Sequence, residues 1–356
     1  MNSNFWKNKK VLLTGHTGFK GSWLSIWLKK MGGDLIGFSK DVPTEPSLFE
    51  LADVSKDMTS VMGDIRDFSV VQKIIEDNQP DIIIHMAAQA LVRDSYKNPL
   101  ETFSTNIMGT ANVLEAIKIS KKTRVMINVT SDKCYENKGI GNNFSEDAAM
   151  GGYDPYSSSK GCSELISSAY RNSFYNIEDF ESHKLSLSTV RAGNVIGGGD
   201  WAKDRLIPDI MNGIAKKNSI EIRHMDAIRP WQFVLEPLNG YLLLAEKMWD
   251  EGNKFSEAWN FGPDNKNSKS VKWILEKISK EWNKEIKWNE NNGDDLREAS
   301  ILKLNSEKVK KRLGWEAKLN IDETIGWTIN WYKEFLRDSN MKEYTEKQID
   351  DFMVMI

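Results

Sequence analysis

The chain has 356 residues, of which 40% are hydrophobic and 28% charged, and its 48 basic and 51 acidic residues leave a net charge of −3. This composition is typical of a globular protein with one large domain or two modest ones, and it offers no bulk positive charge for nucleic acid. No apolar run approaches the roughly 20 residues of a membrane helix, no signal peptide is visible, and Cys134 and Cys162 form no metal-binding pattern. We therefore expect a cytoplasmic protein without a nucleic-acid partner, a membrane partner or a metal.

The hydrophobic pattern of the first half predicts strands that alternate with helices. Strands are predicted at 11–13, 34–38, 60–62, 81–85, 124–129 and 185–191, with helices at 68–77, 99–119 and 156–175. Such alternation predicts an α/β fold, with a doubly wound parallel sheet of the Rossmann type over residues 1–195 and ligands at the carboxyl ends of its strands.

The rhythm changes after residue 196, where helical patterns dominate. They fall at 206–216, 234–249, 271–282, 306–313 and 322–335, with short strands near Ile220 and Trp259. We expect a smaller, mixed and mostly helical substrate lobe over 196–340, either separate from the first domain or interleaved with it. Residues 341–356 are expected to form a surface helix or tail without a role in chemistry.

Glycines at three-residue spacing follow the first strand and precede a helical pattern. In a strand–turn–helix context, Gly15 permits the tight turn, Gly18 lets a pyrophosphate approach the backbone, and Gly21 lets the helix pack on the strand. A glycine triplet also occurs in turns that bind nothing, but its place at the start of the chain favours a dinucleotide site. The residues predicted to bind the cofactor around this turn are Gly15, Thr17, Gly18, Phe19, Lys20 and Gly21.

The second strand lacks the acidic residue that usually holds the adenosine ribose. Ser39 occupies that position and Asp41 follows two residues later, so both NAD and NADP stay open. Asp64, after the third strand, could accept a hydrogen bond from the adenine amine or could be an ordinary turn aspartate. The small residues after the fourth strand could pass under a ribose or could simply pack tightly. The remaining predicted cofactor residues are Ile65, Ala87, Ala88, Gln89, Asn106, Val129 and Arg191.

Tyr156 and Lys160 lie four residues apart at the start of a predicted helix and therefore share one face. A tyrosine with a pKa near ~10 is a poor base at neutral pH, but a nearby ammonium and a positively charged nicotinamide would lower that pKa. Tyr156 could then accept a proton from a hydroxyl while hydride leaves its carbon, and Lys160 could also hold the nicotinamide ribose. The alternative is a surface tyrosine without a catalytic role.

Ser131, Asp132 and Lys133 follow the fifth strand. Ser131 would offer its hydroxyl to the same substrate oxygen as Tyr156. Asp132 could protonate a departing hydroxyl if burial raises its pKa, and Lys133, if neutral, could remove a proton beside a carbonyl. A plain alcohol dehydrogenase needs neither of these last two groups, although a capped turn with a solvated ion pair is the simpler alternative.

Taken together, these motifs resemble the nucleotide-sugar 4,6-dehydratases of the extended short-chain dehydrogenase/reductase family. The strings that carry the resemblance lie at 14–23, 130–137, 154–161, 191–201 and 229–232. The family usually has Thr-Asp-Glu after the fifth strand, whereas Ser131-Asp132-Lys133 is typical of the branch that acts on CDP-glucose. Phe233 and Arg297 stand where the family pattern has histidines, which changes expected nucleotide contacts.

The resemblance implies an NAD-dependent lyase that oxidises C4 of a nucleotide sugar, eliminates water across C5 and C6, and returns the hydride to C6. It implies catalytic roles for Ser131, Asp132, Lys133, Tyr156 and Lys160. It also implies a homodimer formed through the helices at 99–119 and 156–175. The expected substrate-binding residues are Asn194, Arg205, Leu206, Pro208, Arg229 and Trp231, with Arg191 as a further candidate for the pyrophosphate.

Two other functions stay open. The first is a nucleotide-sugar epimerase or a dehydratase for another nucleotide, and testing several nucleotide sugars separates these from the CDP-glucose branch. The second is a Rossmann-fold protein that binds NAD or NADP as a redox sensor without catalysis, which should tolerate Tyr156→Phe.

Overall fold

The computed structural model describes residues 2–137, 143–216, 218–283, 286–290 and 302–356. The strands in chain order are β1 (Lys10–Thr14), β2 (Asp34–Ser39), β3 (Thr59–Met62), β4 (Ile82–His85), β5 (Val125–Val129), β6 (Asn143–Phe144), β7 (Ser186–Ala192), β8 (Asn194–Ile196), β9 (Ile220–Ile222), β10 (Ile228–Phe233), β11 (Ala258–Phe261), β12 (Ser268–Ser270), β13 (Trp288–Glu290) and β14 (Lys303–Leu304).

The α-helices in chain order are α1 (Ser3–Trp6), α2 (Phe19–Lys30), α3 (Leu48–Leu51), α4 (Phe68–Asn78), α5 (Val92–Lys97), α6 (Pro99–Phe103), α7 (Gly109–Ile117), α8 (Pro155–Ser173), α9 (Phe180–His183), α10 (Leu206–Lys216), α11 (Leu235–Phe255), α12 (Val271–Trp282), α13 (Glu307–Leu313), α14 (Ile321–Leu336) and α15 (Met341–Met353). A π-helical segment, Ser104–Met108, joins α6 to α7, and short 3₁₀ turns lie at Asp132–Cys134, Ile177–Asp179 and Asn265–Asn267.

The main sheet has seven parallel strands in the order β11-β7-β5-β4-β1-β2-β3. The predicted doubly wound α/β fold is therefore confirmed. Alternate residues of β1 enter different cores, since Val11 and Leu13 pack with α2 and the C-terminal helices while Leu12 packs with α4 and α7. Burial of both faces explains why the strands read as continuous apolar runs. The strand order reverses at β1, with β2 on one side of it and β4 on the other. A crevice therefore opens between the carboxyl ends of β1 and β4.

The second half of the chain returns to the main sheet. Its strand β11 pairs in parallel with β7 at the sheet edge, Asn260 opposite Arg191. A smaller sheet, β12-β10-β8, places Trp231 opposite Asn194 beside the crevice. The part of the chain after residue 196 is thus interleaved with the sheet. Its strand β11 covers the edge of the sheet beside β7.

The last helix, α15, packs one face against the core, in the segment where the sequence analysis expects a surface helix or tail. Thr345 Oγ1 accepts a 2.9 Å hydrogen bond from the indole N–H of Trp331 on α14. The ring of Phe352 meets that of Trp27 on α2, with centroids 5.8 Å apart. The helix is therefore amphipathic, with one face in the core. Among the described residues, no helix has the length and apolarity to cross a membrane, and no cluster of metal-ligating side chains occurs.

Candidate active site

The glycine turn after β1 is built for close approach of backbones. Gly15 has φ of +78°, and a Cβ there would lie 2.8 Å from the backbone nitrogen of Ala87. A Cβ on Gly21 would lie 2.0 Å from the carbonyl oxygen of Gly15. Both positions therefore exclude a side chain, because α2 and the end of β4 pack directly against the turn. By contrast, the nearest neighbour of a Cβ on Gly18 would be 3.4 Å away.

The N-terminus of α2 offers hydrogen-bond donors to a ligand. Its N-cap is Gly18, which supplies no side-chain cap, and its first turn carries no acidic residue. The first N–H groups of a helix need partners outside it, and together with the helix dipole they suit a phosphate. Phe19 and Lys20 occupy this first turn and are half-buried, whereas Thr17 is buried and donates its hydroxyl to the carbonyl of Asp41 at 2.6 Å. These features fit a dinucleotide.

A histidine that the sequence analysis did not assign connects β2 and β3 beneath this site. The His16 ring lies over Gly37, where a Cβ would approach it to 2.3 Å. Its Nδ1 lies 2.8 Å from Ser39 Oγ and its Nε2 lies 2.7 Å from Ser60 Oγ. Burial lowers the pKa of His16 to about 4, so the ring is neutral. The signal in the sequence is Gly37, a glycine inside a strand that leaves room for a ring.

The other predicted cofactor residues surround the ends of β3 and β4. Asp64 holds Arg66 through a bidentate ion pair, and the hydrogen bonds from Arg66 keep the pKa of Asp64 below its usual value. Asn106 Oδ1 accepts from the backbone N–H of Gln89 at 2.9 Å, and its Nδ2 donates to Ser159 at 2.8 Å. Asn106 therefore ties the loop after β4 to α8. Ile65 is buried, and Ala87 and Ala88 are half-buried.

Tyr156 is brought to Ser131 by the start of α8. Asp154 caps the helix by accepting a 2.9 Å hydrogen bond from Ser157, and Pro155 occupies the first turn. The hydroxyl of Tyr156 lies near Ser131, which acts to lower the pKa of the tyrosine. Ser131 Oγ donates to Asp132 Oδ1 at 3.0 Å. Three of the five predicted catalytic side chains, Ser131, Asp132 and Tyr156, thus lie in one buried cluster at the carboxyl end of β5.

The protein alone does not lower the pKa of Tyr156, whereas the sequence analysis expects a lowered pKa when both Lys160 and a positively charged nicotinamide are close. Burial raises this pKa to about 12, and the charge of Asp132 adds to the rise, while Ser131 and the charge of Arg205 oppose it. Lys160 instead donates to the carbonyl of Val129 at 3.2 Å. Any lowering must therefore come from a bound cation such as nicotinamide or from neutralisation of Asp132.

Asp132 has the environment of a proton donor. It is 3% exposed, and its Oδ2 has no hydrogen-bond partner among the described residues. Burial raises its pKa, although the charges of Lys133, Arg229 and Lys20 act in the opposite direction. Protonation of Asp132 would also remove a negative charge that disfavours the phenolate of Tyr156, so a neutral Asp132 and an ionised Tyr156 favour each other.

Several cations face this cluster. Burial and the charge of Arg205 lower the pKa of Lys20 to about 8. Burial and the charge of Lys20 lower the pKa of Lys160 to about 8. Arg205 pairs with Asp200 at 3.0 Å and also interacts with Tyr156. Mutual repulsion between cations at one crevice indicates a site that binds an anion.

The comparison with known proteins identifies the family. The family model described as GDP-mannose 4,6 dehydratase matches residues 12–328. The chain belongs to the GDP-mannose 4,6 dehydratase family. A CDP-glucose 4,6-dehydratase of Salmonella typhimurium is 48% identical over 353 residues, which cover 99% of this chain and 98% of that relative.

Solved structures of nucleotide-sugar enzymes share the fold of this family member. The dTDP-glucose 4,6-dehydratase of Bacillus anthracis, in complex with NAD, superimposes with a TM-score of 0.76 at 20% identity and covers 93% of this chain and 98% of its own. The UDP-glucose 4-epimerase of Thermotoga maritima, with UDP-glucose, gives a TM-score of 0.77 at 19% identity and covers 92% and 99%.

Arg191 does not face the crevice of this family member, contrary to the prediction that it binds cofactor or pyrophosphate. It is 2% exposed, and Nε and Nη2 each donate to Glu164 at 2.8 Å. Its Nη1 donates to the hydroxyl of Tyr135 and to the carbonyl of Glu146. The guanidinium is therefore committed to the protein interior, because its partner on α8 is a buried carboxylate that needs compensation.

The predicted substrate residues divide between the crevice and the core. Arg205, Leu206 and Asn194 are half-buried beside the crevice, and Arg229 is 8% exposed next to Asp132. Trp231 and Pro208 are buried instead, and Trp231 donates its indole N–H to the carbonyl of Lys269 at 3.0 Å. This bond ties Trp231 on β10 to β12.

Phe233 is also a core residue, packed between Trp23 and Trp327 with ring centroids 5.9 and 5.4 Å away. The side chain of Phe233 is therefore committed to the core in this chain. Arg297 lies outside the described residues.

Sequence reasoning missed a polar cleft of about 380 Å³ beside α10. Asp204 lies at its rim between Arg93 and Arg223, 3.5 and 3.6 Å away. Asp209, whose pKa burial raises to about 6, lies in its wall. The residues come from α5, α10 and β9, which are distant in the sequence, so no local motif announces the cleft.

Proposed function

We propose that this chain is an NAD-dependent CDP-glucose 4,6-dehydratase, a hydro-lyase that converts CDP-D-glucose to CDP-4-keto-6-deoxy-D-glucose and water. The observation that carries the proposal is the buried cluster of Ser131, Asp132 and Tyr156 at the edge of a dinucleotide cradle. It combines an alcohol-oxidising tyrosine with a carboxyl that burial favours in its protonated form. The Salmonella typhimurium relative, at 48% identity over nearly its full length, supports CDP-glucose as the substrate.

The cradle fits NAD. Gly15 and Gly21 allow the close packing of the turn against the end of β4 and α2, Gly18 leaves room for a pyrophosphate, and α2 directs its free N–H groups toward that place. Lys40, the basic residue beside Ser39, forms an exposed ion pair with Glu101 at 3.1 Å. When bound, NAD supplies the hydride acceptor and later the hydride donor.

The first half-reaction is a deprotonation at the 4-hydroxyl of glucose. Tyr156 accepts this proton, while Ser131 hydrogen-bonds to the same oxygen and holds it in place. Lys160 stays available to the nicotinamide ribose, because its ammonium lies at the carbonyl of Val129 next to the crevice. The 4-ketone that forms makes the proton on C5 acidic.

The second half-reaction is the loss of water across C5 and C6. Lys133 removes the C5 proton, and Asp132 donates a proton to the 6-hydroxyl as the C6–O bond breaks, so oxygen leaves as water. Hydride then returns to C6 and a proton to C5, which regenerates the starting redox state. Asp132 suits this role because burial, and not a neighbouring anion, raises its pKa.

The diphosphate would lie among Lys20, Arg205 and Arg229, which supply positive charge around Asp132. The cleft beside α10 would then receive the nucleotide base. Its arginine and aspartate side chains offer both donors and acceptors, as a cytosine edge requires.

We also propose that the chain forms a homodimer. Large apolar side chains are exposed on neighbouring helical segments, with Leu100 on α6 82% exposed, Met108 of the π-helical segment 55% and Leu165 on α8 59%. A second copy would cover this face, and sedimentation equilibrium would detect the dimer.

Cys134 and Cys162 are both free thiols, which supports a reducing compartment such as the cytoplasm.

The decisive experiment offers the purified chain CDP-, UDP-, dTDP- and GDP-glucose with catalytic NAD. We expect a base-sensitive 4-ketosugar chromophore with CDP-glucose and little with the others. A preference for another nucleotide would reassign the substrate, and a C4-epimerised product would indicate an epimerase. Stoichiometric reduction of NAD would indicate an ordinary dehydrogenase, and unchanged function in Tyr156→Phe would indicate a non-catalytic binding protein.

A further inference from the structure

One buried ion pair joins the helix that carries Tyr156 to the residues that flank the Ser131–Lys133 turn. Glu164 is 4% exposed, and both of its oxygens accept hydrogen bonds from Arg191 at 2.8 Å. Oε1 also accepts from Thr130, and Oε2 accepts from Thr189 at 2.7 Å. Four donors from β5 and β7 therefore converge on one carboxylate of α8. Burial opposes its charge, but the bonds and charge of Arg191 hold the pKa of Glu164 below its usual value.

Glu164 lies on the catalytic face of α8. Tyr156, Lys160 and Glu164 follow each other at four-residue intervals, so they occupy one side of the helix. Thr130 directly precedes Ser131 in the turn after β5. Its hydrogen bond to Glu164 therefore fixes the start of the Ser131–Lys133 turn against the helix that carries Tyr156.

Arg191 holds the end of the same turn. Its Nη1 donates to the hydroxyl of Tyr135, and its guanidinium carbon lies 4.8 Å from the centroid of the Tyr135 ring. That hydroxyl in turn donates to Asn260 Oδ1 at 2.8 Å on the edge strand β11. The tripeptide Ser131–Lys133 is thus bounded by one residue bonded to Glu164 and another bonded to Arg191.

We propose that the Glu164–Arg191 pair is a positioning element that sets the spacing between Tyr156 and the Ser131–Lys133 turn. The inference rests on the proposed function, in which Tyr156 acts in C4 oxidation and Asp132 in elimination. A buried ion pair often adds little net stability over an apolar pair of the same volume, so its bonds to both ends of the turn point to placement. Small displacements of a proton donor cost large factors in rate, on the order of 100-fold for ~1 Å.

The test uses Glu164→Gln, which keeps the shape but removes the charge and one acceptor. It also uses Thr130→Val, which keeps the Glu164 charge and removes the hydrogen bonds of the Thr130 hydroxyl to Glu164 and to the carbonyl of Val190. In single turnovers with CDP-glucose, we expect elimination to slow about tenfold more than C4 oxidation, so that reduced nicotinamide accumulates. Val71→Ala, on the buried face of α4, is the matched control for lost stability, and it should leave the ratio of the two rates unchanged.

A second readout does not depend on the substrate. Because Ser131 lowers the pKa of Tyr156, displacing Ser131 should raise that pKa. The ultraviolet titration of the phenolate, corrected with Tyr156→Phe, measures this in the NAD complex. If both steps slow equally and the pKa of Tyr156 does not change, the Glu164–Arg191 pair has a purely structural role. If the wild type fails to turn over CDP-glucose, the proposed function fails, and the titration alone decides the positioning.

The double variant E164Q/R191M separates charge balance from placement. It removes both charges at once and should recover thermal stability relative to E164Q. If the pair acts by placement, the altered ratio of elimination to oxidation persists in the double variant. Recovery of the wild-type ratio would instead show that charge balance is all the pair contributes.

Discussion

Asp132→Asn separates the two chemical steps in the proposed mechanism. Asparagine keeps the side-chain shape and an oxygen that can accept the 3.0 Å hydrogen bond from Ser131. The atom that changes replaces Oδ2, which has no partner among the described residues, so no existing bond is lost. The variant loses the proton that the departing 6-hydroxyl needs, and it also loses the negative charge that raises the pKa of Tyr156.

The magnitude follows from these two effects. Loss of a general acid costs about 100- to 10,000-fold, or ~3–5 kcal/mol, in the elimination step. Oxidation at C4 should be unaffected or faster, since neutralising position 132 favours the phenolate of Tyr156. The variant should therefore stop after the first step and hold reduced nicotinamide with the 4-ketohexose.

Stopped-flow absorbance of reduced nicotinamide, followed by product analysis, measures both steps in one turnover. Asp77→Asn is the control, because Asp77 forms only an exposed pair with Lys73 on α4; it should behave as the wild type. The reasoning would be refuted if Asp132→Asn dehydrated CDP-glucose within about threefold of the wild-type rate, or if oxidation fell as much as elimination.

Three further changes test the cradle and the core. Gly21→Ala should abolish NAD binding and lower the melting temperature, because the new Cβ would lie 2.0 Å from the carbonyl oxygen of Gly15. Quenching of tryptophan fluorescence by NAD measures the affinity, and wild-type affinity in the variant would contradict the clash. Burial raises the pKa of Glu236 to about 7, so its contribution to stability is full below the unfolded pKa and is lost as pH rises toward 7. The unfolding free energy of Glu236→Gln relative to wild type should therefore improve between pH 5 and 8, by up to ~3 kcal/mol in urea titrations, and a constant difference would contradict this. Thr345→Val leaves the buried indole N–H of Trp331 without its 2.9 Å acceptor and should cost about 1–3 kcal/mol of stability with unchanged KM; a neutral effect would show that α15 is not held there.

Local patterns were enough to predict the catalytic turn. Ser131, Asp132 and Lys133 directly follow a buried strand, and Tyr156 and Lys160 are spaced to share a helix face, so the sequence alone indicates the edge of the sheet where they lie. Both inferences use only the geometry of one strand or one helix. The parallel sheet itself was predictable for the same reason, since alternation of apolar runs and helical patterns is a local property.

Properties that depend on long-range packing were decided by the tertiary structure. Arg191 reads as a phosphate ligand in the sequence, but its partner Glu164 lies 27 residues earlier on another element, and only the fold brings the two together. The pKa of Tyr156 is likewise set by what covers it, since burial raises this pKa more than Ser131 and Arg205 lower it. The sequence by itself determined which residues can do the chemistry, because residue type and spacing are local. Only the packing decided their protonation, their spacing and their supports, because burial and hydrogen bonding depend on neighbours that the chain delivers from far away.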